Sequence, residues 1–381
     1  MSGSTTKAPF RLQDVRDAIL NNGWVIYNRD NDPGTLWTWG LNAFGRLGDN
    51  TSVNRSSPVQ VPGTQWTEVS SGGYHTAARK SDGTLWTWGS SGSGELGVDL
   101  IGLVSRSSPI QVSGTQWTEV SSGGCHTAAR KSDGTLWTWG DNVAGRLGDS
   151  TAISRSSPIQ VPGTQWTEVS SGGRHTVARK SDGTLWAWGL NGSAELGDGT
   201  VISRSSPVQI PGTQWTEVSG GLCHTAARKS DGTLWAWGFN NWGRLGDNTS
   251  INRSSPIQVP GTQWTEVSSG GYHTAARKSD GTLWTWGCNG FGQLGDNSNI
   301  LSRSSPIQVP GTQWTEVSSG GCHTAARKSD GTLWTWGCNG SGRLGDNTAI
   351  QRSSPIQIPG TQWTEVSVGA TGSHTAARKA V

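Results

Sequence analysis

Long hydrophobic runs are missing from this sequence, and so is a strong charge of either sign. Only 15% of the 381 residues are charged, and the formal net charge is +3. Without a long basic run, a dedicated nucleic-acid binder is not expected. No apolar stretch approaches membrane-spanning length, and the N-terminus lacks the hydrophobic core of a secretory signal. Membrane insertion and signal-directed secretion are therefore not expected. The five cysteines (Cys125, Cys223, Cys288, Cys322, Cys338) are odd in number and replace tyrosine, leucine and similar residues at recurring positions. That excludes a disulfide framework and suggests a reducing compartment. Catalytic signatures are wanting too: there is no nucleophile elbow, phosphate-binding glycine loop, unequal carboxylate pair or zinc motif. The chain reads as a non-enzyme with no cofactor and no metal. Apolar residues make up only 32%, so the core must depend on the 23 tryptophans.

What is present is a repeat. The run Gly34-Thr35-Leu36-Trp37-Thr38-Trp39-Gly40 returns at Gly83, Gly134, Gly183, Gly232, Gly281 and Gly331, with starts 49 to 51 residues apart. Such a period is typical of propeller blades. Alternating side chains predict a short strand, with both tryptophans on one face and Leu36 and Thr38 on the other. Three more segments travel with it, represented by Trp66-Thr67-Glu68-Val69, His75-Thr76-Ala77-Ala78-Arg79 and Ser57-Pro58-Val59-Gln60-Val61. We label the strands A (Trp66), B (Thr76), C (Trp86) and D (Ile110) in order within a blade. The predicted fold is all-β, a seven-bladed β-propeller with four-stranded antiparallel blades and circular closure.

Residues 1–33 depart from the repeat and read as a leader, and 34–381 as the propeller. Leu12, Val15, Ile19 and Leu20 share one stripe of a predicted helix over 12–20, and 24–27 read as a strand. The leader is either a degenerate piece of a blade or a docking element for assembly. The chain ends just after a B strand, so Thr375 to Arg378 is expected to pair with Leu36 to Trp39 and leave no open edge. Strand 24–27 competes for that edge.

The B strand His75-Thr76-Ala77, the turn Ser81-Asp82-Gly83, and strand C with its aromatic-x-Trp-Gly form one pattern. Asn42, Gly45, Leu47, Gly48 and the proline that opens strand D continue it. This resembles the regulator-of-chromosome-condensation repeat family across residues 34 to 381. The resemblance implies a seven-bladed propeller with one repeat per blade and circular closure. It also implies a range of trades: nucleotide exchange factors for the small GTPase Ran, chromatin binders, a plant ultraviolet-B photoreceptor, and protein-interaction modules. The family's exchange factors use a hairpin projecting from one blade as a wedge, and no repeat here exceeds 51 residues. The photoreceptor's tryptophans stand two residues before the histidine, where this chain has Gly73, Gly124, Gly173 and Gly271.

Comparing the seven copies locates the variation. One variable position precedes the histidine: Tyr74, Cys125, Arg174, Cys223, Tyr272, Cys322, Ser373. The other is the segment after the strand C glycine, where Phe44, Trp242 and Phe291 replace a usual serine or alanine. In a meander the A–B and C–D connections emerge at one end, so both lie on one face of the disc. Neutral drift at solvent-exposed loops would give the same pattern. The candidate binding face is Phe44, Tyr74, Arg174, Trp242, Arg244 and Phe291, with the composition of an interface hot spot. Trp37, Trp39, Trp66, Trp86 and Trp88 are expected to pack blade on blade, and His75 and its copies to bond the loop backbone. The Arg79-Lys80 copies are read as solvated edges with local salt bridges.

Function follows as a non-enzymatic binding or scaffold propeller that uses one loop face to recognise a protein or a glycan. Two alternatives stay open. One is a structural or receptor-binding component of a viral or tail assembly, suggested by the leader and the near-identical repeats. The other is a guanine nucleotide exchange factor for a small GTPase. The expected location is cytoplasmic or virion-associated.

Overall fold

Each Leu-Trp-(Thr or Ala)-Trp-Gly run forms a strand because its alternating side chains enter two different buried layers. The computed structural model describes residues 33–99, 104–298 and 300–381. The helix expected over 12–20 and the strand over 24–27 lie outside the described residues. Among those described, four strands per repeat build seven antiparallel blades around an axis. A typical blade orders its strands as Trp166–Ser171, His175–Lys180, Leu185–Gly189 and Arg204–Gln209. One blade is composite. His374–Ala380 pairs with Gly34–Gly40 in unbroken register, from Gly34 opposite Ala380 to Gly40 opposite His374. Arg55–Gln60 occupies the other side of Gly34–Gly40. The C-terminal strand thus closes the ring, with Gly34–Gly40 paired on both sides.

The core is not one cluster but seven, one at each blade interface. The tryptophan face of a blade (Trp66, Trp88, with Val69 and Ala78) packs on the Leu36, Val61 and Ala376 face of the preceding one. The same arrangement closes the circle where Trp363 and Trp39 meet Leu333, Ile358 and Ala325. B strands supply small alanines such as Ala77 and Ala78 to these clusters, and A and C strands supply the large tryptophans such as Trp66 and Trp88. Within a blade the rings meet edge to face, as Trp66 and Trp88 do at 6.1 Å.

Polar rings stitch the same interfaces. His75 Nε2 lies 2.8 Å from Thr127 Oγ1 of the next blade, and the relation runs round to His374 and Thr76 at 2.8 Å. Thr127 Oγ1 itself donates to the Glu95 carbonyl at 2.9 Å. Its one proton being spent there, it accepts from the histidine, which fixes the neutral tautomer with the proton on Nε2. The histidines are structural, but their partner is a neighbouring threonine and not the loop backbone expected from the sequence. A second ring uses strand A. Glu68 pairs with Arg79 of its own blade at 3.0 Å and accepts the Val120 N–H of the next at 3.1 Å. Glu365 completes it by accepting from Val69 at 3.2 Å. At the rim, Lys80 is not simply solvated: its ammonium lies 4.8 Å from the Trp66 ring centre and 4.5 Å from that of Trp86. Gly83, with φ of 76°, provides the left-handed step of the adjoining B–C turn.

Deletion of residues 363–381 removes strands A and B of the composite blade and bares the edge of Gly34–Gly40 that they cover. The truncated chain should aggregate or lose its cooperative melt in gel filtration and circular dichroism, and an unaltered monomer with an unaltered melt would contradict closure.

Acid should act through the histidine ring. Burial drives His75 and His273 down to about 3 and His175 to about 4. An unfolded histidine takes its proton near its ordinary value, about 6.5. The stabilisation is therefore complete above that value and is lost as pH falls through the folded ones. Burial of the strand A glutamates works oppositely, raising Glu68 and Glu217 to about 7 and Glu316 to about 8. Below about pH 4.5 those carboxyls are protonated in both states and stop compensating. Urea titrations should therefore show a steep loss of stability as pH falls from about 4.5 towards 3, where each histidine still neutral in the fold contributes at most about 1.4 kcal/mol per pH unit. Stability unchanged across that interval would contradict the buried neutral ring.

Candidate functional site

The A–B and C–D connections emerge on one face, and the structure brings their variable residues together across blade boundaries. Phe44, from the C–D loop of the composite blade, meets Tyr74 of the next blade edge to face at 6.4 Å. Trp242 meets Tyr272 in the same relation at 5.8 Å. Phe44 and Trp242 are 52% and 47% exposed, as a surface contact requires. Both sit on short turns (Ala43–Gly45 and Asn241–Gly243) with φ near +70°: 71° at Phe44 and 68° at Trp242. A non-glycine residue there costs roughly 1–2 kcal/mol, so the turns hold these rings out at some expense to stability.

Under each aromatic pair lies an arginine. Arg46 donates to the Gly73 carbonyl at 2.7 Å and to that of Ala43 at 3.0 Å, and its guanidinium is 5.4 Å from the Tyr74 ring centre. Burial lowers its pKa to about 10. Arg244 repeats the arrangement, donating to Gly271 at 2.9 Å beneath Trp242 and Tyr272. Arg244 is only 1% exposed. Its sequence-based role as a contact residue is corrected: it is spent on two backbone carbonyls and on supporting the rings, so it cannot meet a partner.

The loops before the histidines link one to the next by backbone bonds, such as Gly73 to Gly123 and Gly173 to Gly221. They frame an axial cavity of about 520 Å³. Tyr74 and Tyr272 line it, with Arg174, Leu222, Asp141 and Val143 among the other walls. Arg174 is exposed and available to a ligand. Asp141 is engaged by Arg146 at 3.1 Å. Phe291 stands apart. It lines a separate outer groove with Leu301 and Gln351 and has no aromatic partner among the described residues, because the matching position in the next blade is Cys322. The site thus comprises Phe44, Tyr74, Arg174, Trp242 and the Tyr272 that sequence-based selection omitted. The pairing of Trp242 with a tyrosine thirty residues on, copied at Phe44 and Tyr74, was the signal available for it. The opposite axial mouth, about 410 Å³, is lined by Glu68, Arg79 and their copies. Those carboxylates and guanidiniums are committed to each other and to the ring.

Fold and site together define a repeat propeller with a constant scaffold and one varied face. The family model described as the RCC1-like domain matches residues 104–377, and models of the regulator of chromosome condensation (RCC1) repeat match 33–79 and 66–95. The chain belongs to the RCC1 repeat family. Curated relatives include the human E3 ubiquitin-protein ligase HERC2, 30% identical over 126 residues, which are 32% of this chain and 3% of that protein. Another is the mitochondrial RCC1 domain-containing protein RUG3 of Arabidopsis thaliana, 29% identical over 121 residues, 30% of this chain and 27% of the relative. The aligned stretches thus span a minor part of either relative's length. Among solved structures, Prp20p of Saccharomyces cerevisiae, described with its binding to Gsp1p and histones, aligns with a TM-score of 0.83 at 18% identity. That alignment covers 92% of this chain and 93% of the other. Human WBSCR16 aligns at 0.82 and 20% identity, over 91% and 99%. Yeast RCC1 (Prp20) bound to Kap60 also aligns at 0.83 and 18% identity, over 100% and 94%. The cytoplasmic or virion-associated location expected from the sequence is contradicted by these matches, one described with histones and the other with Kap60.

Trp242→Gly relieves about 1 kcal/mol of backbone strain and loses a ring contact worth about 0.5–1.5 kcal/mol. Its stability should stay within about 1 kcal/mol of the parent. Arg244→Gln removes charge-assisted bonds to two carbonyls and should cost about 1.5–3 kcal/mol. Thermal melts of the two variants check this, and equal losses would contradict the division into exposed contact and buried support.

Proposed function

We propose that this protein is a non-catalytic recognition propeller whose A–B/C–D face binds a folded protein, with a small GTPase as the partner and nucleotide release as the outcome. The observation that carries this reading is the pair of exposed aromatic clusters, Phe44 with Tyr74 and Trp242 with Tyr272, each backed by a buried arginine. Rigid aromatic anchors beside an exposed arginine, here Arg174, make up protein–protein hot spots. The GTPase is favoured over a glycan because the family resemblance includes exchange factors for Ran and because a solved structure of this fold is described with its binding to Gsp1p. Exchange of this kind needs no reacting side chain: the propeller holds the GTPase in a form that releases nucleotide. In this chain Trp242, half exposed on a strained turn, is the side chain best placed to press into a partner.

A second reading rests on a specific feature. No repeat exceeds 51 residues, so the extra hairpin that serves the family's exchange factors as a wedge has no counterpart in repeat length. The face would then bind its GTPase without speeding release. Both readings meet in one experiment, with immobilised full-length chain and a panel of small GTPases carrying fluorescent GDP. Exchange activity predicts retention together with faster release. Phe44→Ala with Trp242→Ala should lower both, each anchor costing about 2 kcal/mol or roughly thirtyfold in affinity. Retention with unchanged release selects the scaffold reading. No retention of any GTPase by the intact chain would reject this partner class.

A further inference from the structure

In every blade the residue before the histidine faces the residue after the strand C glycine, and the second donates its N–H to the carbonyl of the first. The bonds run from Leu41 to Ser373, Ser90 to Tyr74, Asp141 to Cys125, Leu190 to Arg174, Phe239 to Cys223 and Cys288 to Tyr272. In the seventh it runs from Cys338 to Cys322, at 2.9 Å, and only there are both residues cysteine. The pair continues the register of His323 opposite Gly337. Facing residues of an antiparallel pair have Cα atoms about 4.5–5.5 Å apart, inside the roughly 4.4–6.8 Å that a disulfide requires. Arg343 donates from its guanidinium to Cys322 Sγ at 3.2 Å. Both thiols are half-buried, within reach of a small reagent.

We propose that Cys322 and Cys338 form a dithiol site that small-molecule disulfides convert to an intramolecular disulfide. The attacking group is the Cys338 thiolate, which accepts from the Cys322 thiol and from the Gly340 N–H beside Arg343. These partners hold the Cys338 thiol below the usual thiol range, whereas burial raises the thiols of Cys125 and Cys223. The Cys338 thiolate attacks one sulfur of RS–SR, the S–S bond breaks, and RS⁻ leaves and takes up a proton. Cys322 then gives up its proton and attacks the Cys338 sulfur of the mixed disulfide, expelling the second RS⁻, which that proton converts to RSH. Two cysteine thiols are oxidised to one disulfide while RSSR is reduced to two RSH. The new bond fastens the A–B loop to the C–D loop on the varied face.

The test treats the folded full-length chain with oxidised glutathione near neutral pH and follows it by intact mass, thiol titration and peptide mapping. The site predicts loss of two hydrogens, no retained glutathione, and a Cys322–Cys338 link formed at least about tenfold faster than modification of Cys125 or Cys223. Cys322→Ser should instead stop at a stable glutathione adduct on Cys338. Cys338→Ser should abolish the fast phase. Adducts spread evenly over the five cysteines, or a parent that reacts no faster than Cys338→Ser, would overturn the proposal.

Discussion

Every blade needs its neighbour, because a tryptophan face and a leucine–alanine face are both apolar and neither can be left in water. That mutual requirement, met at seven interfaces, sets the rest of the architecture. A chain of such units has two exposed apolar ends unless it closes. The composite blade, built from the last A and B strands and the first C and D strands, removes both ends together. The histidine–threonine and glutamate–valine rings lie along the same interfaces, and each histidine Nε2 and strand A carboxylate finds its partner across the boundary. Packing thus drives association of the blades, and the polar rings fix their register.

With the scaffold so constrained, freedom survives mainly where no interface is formed. The loops before the histidines and after strand C leave the packed layers on one face, and variation among the copies collects there. The Asn42 hub shows how little of even that segment is free. Its amide bonds Asp49, the Thr51 carbonyl and the Val53 carbonyl, and its carbonyl accepts from Leu47. Only the two or three residues at the tip, Phe44 among them, can change without dismantling the loop. The face is a set of replaceable tips on a fixed frame.

The fold was legible in the sequence because seven near-identical copies make strand boundaries and closure a matter of counting. The positions of Phe44, Tyr74, Arg174 and Trp242 on one face followed from meander geometry alone. Other features were not legible, for physical reasons. Whether Arg244 points to solvent or folds back under Trp242 depends on a left-handed turn that a sequence pattern does not reveal. The threonine partner of each histidine lies about one repeat away, and the pairing becomes visible only once the angle between blades is known. Phe291 read like Phe44, but its partner position holds Cys322, a difference that gains meaning only once the contact between neighbouring blades is known.

The claim that the varied face is the working surface is tested most directly by hydrogen–deuterium exchange, on the free chain and on its complex with a retained small GTPase. Protection is expected in residues 41–46, 72–75, 172–175, 239–244 and 270–273, with little change at the B–C turns on the opposite face. Protection confined to the Lys80–Gly83 turn and its copies, with the Phe44 and Trp242 loops unaffected, would contradict the account.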